Sequence, residues 1–164
     1  SSHHDHDHDN QGIEHQHGAH QHGVGDLAIM QDQQQLMVTM QIPADSLWGF
    51  EYTPKTEQER ALVERTFKQL VGGHRFFKFK GEAICQPLSV EVLKPEALED
   101  PNFNGHMDVQ ANWLFECDDV ANVDGLVTDI FLHFPRIEQL NTQLLLENVN
   151  SGTVLVPTEA NVAW

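Results

Sequence analysis

The twelve residues from His106 to Cys117 read HMDVQANWLFEC, and their alternation decides the architecture. Met107, Val109, Ala111, Trp113, Phe115 and Cys117 fall on one side of an extended chain. His106, Asp108, Gln110, Asn112 and Glu116 fall on the other, with Leu114 the one exception. A period of two over this length predicts a strand with one face on a core and the other toward water. One-sided burial of this kind belongs to antiparallel sheets rather than to parallel ones covered on both faces.

The neighbouring segments extend the same pattern. Leu36, Val38, Met40 and Ile42 alternate with more polar residues, and Leu27 to Met30 precedes them across the polar turn Gln31–Gln35. Leu88, Val90 and Val92 alternate with Ser89, Glu91 and Leu93, while Ile137 to Glu147 and Thr153 to Val156 supply further strands. Thr56 to Val71 predicts the main helix. Thr56 and Glu59 form a capping box, Val63, Phe67, Leu70 and Val71 make one apolar stripe, and Gly72-Gly73 ends it. A second, short helix is expected from Asp124 to His133, stopped by Pro135. The fold class that follows is α+β, a mostly antiparallel sheet of about six or seven strands with two helices.

This domain is expected to span 26–164, preceded by a flexible tail over 1–25, SSHHDHDHDNQGIEHQHGAHQHGVG. The tail has one large apolar residue, Ile13, so it buries too little surface to offset the entropy of ordering without a ligand. The whole chain has 164 residues, enough for one domain, with nine Lys and Arg against 25 Asp and Glu and a net charge of −16. So acidic a chain is expected not to bind nucleic acid, which requires a basic surface. No apolar run is long enough to span a membrane, and no secretory signal is visible, so the chain is expected to be cytosolic or already processed.

Histidine is the outlier: eleven in all, eight of them in the first 22 residues. His15, His17, His20 and His22 form a doubled H-x-H-G unit. Neutral imidazole ligates zinc, copper and nickel, H-x-H sets two rings on one side of an extended chain, and the glycines let the pairs converge. Upstream, His3, His4, His6 and His8 alternate with Asp5, Asp7 and Asp9, a looser reservoir whose carboxylates offset metal charge. His106 and Asp108, two apart on the long strand, point the same way and supply half of a tetrahedral site. They are the expected anchor on the domain for an ion shared with the tail. His74 beside the helix-ending glycines reads as solvated or capping, and His133 as a core or helix-dipole residue. Glu51, between Phe50 and Tyr52, is either an anchored ligand or an exposed carboxylate, and it stays outside the expected site.

Cys85 and Cys117 are the only cysteines. Without C-x-x-C spacing they are read equally well as a disulfide or as two buried thiols. A bond across that separation is worth roughly 3–4 kcal/mol in the chain-entropy model. No H-E-x-x-H, G-x-S-x-G or Cys/His nucleophile pairing is present, so no catalytic residues are expected. A zinc hydrolase would need three convergent protein ligands and a general base. An interaction module in which zinc bridges two copies of the chain (a zinc-mediated self-association) or the chain and a partner is the other alternative to a zinc-binding carrier.

Several of these features occur in one order: H-x-H-G, the run Gly49-Phe50-Glu51-Tyr52-Thr53-Pro54 and the helix after it, Cys85, His106-Met107-Asp108, Cys117, and Phe134-Pro135 before a strand. From about His15 to its end the chain resembles ZrgA-type proteins, zinc-regulated periplasmic zinc-binding proteins of Gram-negative bacteria. The resemblance implies a periplasmic protein made under zinc limitation that binds Zn2+ and assists high-affinity import. Its partner would be a zinc ABC importer or the solute-binding protein of one. It also implies a Cys85–Cys117 disulfide. Two departures stand out. Relatives often carry a long His- and acid-rich stretch before the H-x-D strand, whereas Glu96–Gly105 is short and has no histidine. Tyr52 stands where many relatives have a histidine.

Overall fold

The structure, a computed structural model, describes residues 21–164, so His15, His17, His20 and the upstream His/Asp run lie outside the described residues. Along the chain come β1 (Val24–Asp32), β2 (Gln35–Pro43), α1 (Asp45–Trp48), α2 (Glu57–Val71), β3 (Phe77–Gly81) and β4 (Cys85–Leu93). They are followed by β5 (Asp108–Cys117), β6 (Val123–Thr128), α3 (Ile130–His133), β7 (Gln139–Leu145), β8 (Asn150–Leu155) and β9 (Asn161–Ala163). Six strands form one sheet in the order β4-β5-β2-β1-β7-β8, and three form a second in the order β3-β6-β9. All neighbours are antiparallel except β1 and β7, which run parallel from Val24↔Gln139 to Met30↔Leu145. The class is therefore α+β with a mostly antiparallel sheet. No helix among the described residues is long and apolar enough to cross a membrane.

The alternation in β5 does what it predicts. Val109, Ala111, Trp113, Phe115 and Cys117 are buried; the first four share a core with Leu27 and Ile29 of β1, Val38, Met40 and Ile42 of β2, and Leu140 and Leu144 of β7, while Cys117 packs with Leu36, Val120 and Val123. On this floor α2 lays Val63, Phe67 and Leu70. The capping box is formed at its start: Glu59 N–H donates to the Thr56 hydroxyl at 3.0 Å, and Thr56 N–H to Glu59 Oε1 at 3.2 Å. Trp113 joins sheet to helix, because its indole N–H donates to the Leu70 carbonyl at 2.7 Å. Burying a side chain of this kind contributes about 2–3 kcal/mol. The turn after α2 presses so closely on Trp113 that a Cβ on Gly73 would lie 2.6 Å from the indole nitrogen. Only glycine fits there.

Three local expectations change. The helix expected from Asp124 to His133 is strand β6 followed by the one-turn α3. Val123, Gly125, Leu126 and Thr128 are buried as β6 pairs with β3 on one side and β9 on the other. Those pairing partners supply the hydrogen bonds that a lone helix would have made internally. In β4 the register slips between Pro87 and Ser89. Leu88 is consequently exposed, while Val90 and Val92 pack on the core. At the front, β1 begins at Val24 and so takes in the last two residues of the expected tail. Gly23 is already moored: its N–H donates to Ser46 Oγ at 2.9 Å, and its carbonyl accepts from Glu138 N at 2.7 Å and Gln139 N at 3.0 Å.

Cys85 and Cys117 face each other across β4 and β5 and form a disulfide, with Cα atoms 3.9 Å apart. It closes the end of β5 opposite to His106.

Candidate metal centre

Strand β5 starts at Asp108, so His106 lies in the approach loop rather than in the strand itself. That loop is held from two sides. The Met107 carbonyl accepts from Ala44 N at 2.9 Å, and the Phe103 carbonyl accepts from Thr53 N at 3.3 Å. Tyr52 and Asn104 form an isolated bridge that brings the 49–54 run alongside. Within that run Phe50 and Tyr52 stack at 4.7 Å, which turns the residue between them the other way. That residue is Glu51, and it points at His106.

The result is an imidazole bracketed by carboxylates. His106 Nδ1 lies 3.1 Å from Glu51 Oε2, and His106 Nε2 lies 2.8 Å from Asp108 Oδ1. The Glu51 carboxylate also accepts the Met107 N–H at 3.2 Å, and Asp108 Oδ2 accepts from Gln41 Nε2 at 3.3 Å. All three side chains are largely withdrawn from water. Burial pushes the Glu51 carboxyl above the ordinary glutamate range, and the charges of Asp45 and Asp108 push the same way. The Met107 N–H and His106 oppose them. Three acids, Glu51, Asp45 and Asp108, thus share one rim, with Arg136 lining the same hollow as His22 and Asp45.

His22 reaches that rim. Its Nδ1 pairs with the carboxylate of Asp45, whose side chain is nearly buried in the first turn of α1. Asp45 follows Ala44, which is bonded to Met107, and its charge acts on Glu51. The last histidine of the doubled H-x-H-G and the His106–Asp108 pair therefore share one end of the sheet.

Of the expected ligands, His106 and Asp108 are together, His22 pairs with Asp45, and His15, His17 and His20 lie outside the described residues. Glu51 and Asp45 were not in the expected site. Glu51 carried a signal in its aromatic flanks, whereas Asp45 carried none. Tyr52 is engaged elsewhere, its hydroxyl donating to Glu59 of α2. His74 is structural: its Nε2 lies 2.8 Å from the Ser89 carbonyl and 3.1 Å from that of Leu114, with its ring edge-on to Phe115. His133 packs on Phe76 and pairs with Asp129 at 3.2 Å.

Glu51 and Asp108 sit at opposite ring nitrogens, so both cannot join His106 on one ion. Among the described residues no three His, Cys, Asp or Glu side chains converge as a ready metal site. The chemistry of the bracket is directional. A carboxylate on one imidazole nitrogen fixes tautomer and ring plane while the other nitrogen ligates. With zinc bonds of 2.0–2.2 Å, tetrahedral ligand atoms stand about 3.3–3.6 Å apart. The 2.8 Å between His106 Nε2 and Asp108 Oδ1 would need to widen by roughly half an ångström or a little more.

No curated protein matches the chain. The family model for "ZrgA family zinc uptake protein" matches residues 19–164, which takes in His22, the Glu51–His106–Asp108 bracket and the disulfide. The chain belongs to the ZrgA family of zinc uptake proteins.

Proposed function

We propose that this protein captures Zn2+ in the periplasm and hands it to a high-affinity zinc importer without catalysing a reaction. His106 Nε2 and Asp108 hold the ion on the domain. Glu51 receives the Nδ1–H of His106 and fixes the ring. His15, His17, His20 and His22 complete the coordination, with His22 released from Asp45 to do so. The observation that carries this reading is His106 set between two carboxylates at the rim where the His-rich stretch enters the sheet. The imidazole of His22 is largely exposed even while paired with Asp45, which suits a site that must both load and release its cargo, since exchange of ligands one at a time avoids baring the ion. The acidic rim favours cation approach.

Isothermal titration with Zn2+ tests the assignment on three proteins: the full chain, the chain lacking residues 1–20, and His106→Ala. Both changes should lower affinity, and the truncation should also reduce stoichiometry. Undiminished binding by the truncated chain would remove His15, His17 and His20 from the site. Undiminished binding by His106→Ala would remove the anchor.

A further inference from the structure

The six-stranded sheet has two outer edges, and the chain treats them differently. β4 is guarded by Pro87, a register slip and Glu91, devices that discourage strand addition. β8 has none of these. From Asn148 to Thr158 there is no charged residue, in a chain carrying 34 of them. Asn150 to Val154 are all exposed, and among the described residues nothing pairs with the outer edge of β8.

The hairpin fixes which backbone groups face outward. Leu146 N–H donates to the Val149 carbonyl and closes the β7–β8 turn. The Leu144–Ser151, Thr142–Thr153 and Leu140–Leu155 pairs then exchange the ladder bonds. Asn150, Gly152 and Val154 are left with their N–H and C=O groups directed away from β7. The middle of the three is a glycine that the monomer does not require. Its backbone is not left-handed, and a Cβ there would meet only ordinary contacts, 3.6 Å from Gln143 Oε1 and from the Thr142 carbonyl. A glycine inside a strand weakens it, and it commonly marks the close approach of another backbone.

We infer that β8 is a self-pairing edge: two copies of this chain join β8 to β8 antiparallel, with the two-fold axis at Gly152, into one continuous sheet. This pairing is independent of zinc and goes beyond the zinc-capture reading. In that register Gly152 faces Gly152 of the second copy, Asn150 faces Val154, and Ser151 faces Thr153. The three outward residues of each copy make about six backbone bonds, and the hydroxyl pairs add cross-strand contacts. Glu147 falls opposite Pro157, so no acid meets an acid despite the net charge of −16.

Sedimentation equilibrium of the full chain in the presence of chelator tests this, with folding of every variant checked by circular dichroism. The expected mass is twice the 18.6 kDa of the chain. Gly152→Glu sets two like charges face to face and should raise the dimer dissociation constant about tenfold or more. Gly152→Cys should cross-link the dimer under mild oxidation, whereas Asn150→Cys, equally exposed but facing Val154, should not. A monomer at millimolar concentration overturns the inference, whether the edge is then bare or serves another protein's strand. So does a dimer seen only with zinc, and so does cross-linking as efficient at position 150 as at 152.

Discussion

Replacing Glu51 by Gln separates the two roles assigned to the bracket, because shape is kept while one charge is lost. The carboxylate lies 3.1 Å from His106 Nδ1. Adding the ring and a zinc–nitrogen bond of about 2.0–2.1 Å places the carboxylate some distance beyond direct ligation. At about 7 Å, a divalent ion and a carboxylate attract by about 1 kcal/mol in water and about 5 kcal/mol at an effective dielectric constant of 20. Glu51 keeps one-fifth of its side chain in solvent, so the outcome falls toward the lower figure. The expected loss of zinc affinity is about ten- to a hundredfold, the usual effect of removing an outer partner of a ligating histidine. Stability of the zinc-free protein should move the other way. Folding raises the Glu51 pKa above the ordinary glutamate value, chiefly through burial. This group therefore favours the folded state below that value, and the advantage is lost as pH rises through the folded pKa. At neutral pH the charged Glu51 opposes folding, and Glu51→Gln should melt at or above the temperature of the unmodified chain. Competition against a chromophoric chelator, with thermal melts in chelator, reads both quantities. A variant within twofold of the original affinity refutes the orienting role, as does an equal further loss when Glu51→Gln is added to His106→Ala.

Three further outcomes follow. Replacing both cysteines by serine should lower unfolding free energy by about 3–4 kcal/mol in denaturant titrations, yet leave zinc affinity intact because the bond lies at the far end of β5. Gly73→Ala should destabilise by about 1–3 kcal/mol through the clash with Trp113, again read in denaturant and again without a change in zinc binding. Zinc affinity should fall on acidification through the imidazole range, since protons compete for the ligating nitrogens, and titrations at two pH values with counted proton release check this.

The sequence made the central sheet legible because β1, β2, β5 and β7 each carry an apolar face that can be seen without knowing the partner. The same holds for α2, whose capping box and Gly72 mark both ends. Elsewhere the deciding information is in the partner. β3 follows the helix-ending glycines and is short, and β6 shows a spacing that suits either a helix or a strand until β3 and β9 are placed beside it. Leu88 faces solvent because of a register slip that no local pattern announces. At the site, His106 and Asp108 are readable because they are two residues apart. Glu51 is 55 positions before His106 and meets it only because the Phe50–Tyr52 stack and the Tyr52–Asn104 bridge turn it there. Asp45 becomes visible only through its pairing with His22.

The lone parallel pairing, β1 with β7, has a consequence in time. Strand β1 and its antiparallel neighbour β2 can associate early, but the other flank of β1 stays open until Gln139–Leu145 has been synthesised. Closing so long a loop is entropically costly and slows folding. The mooring of Gly23 to Glu138 and Gln139 depends on the same event. The mooring that brings His22 to Asp45 is therefore among the last contacts able to form, even though Asp45, His106 and Asp108 all precede β7 in the chain.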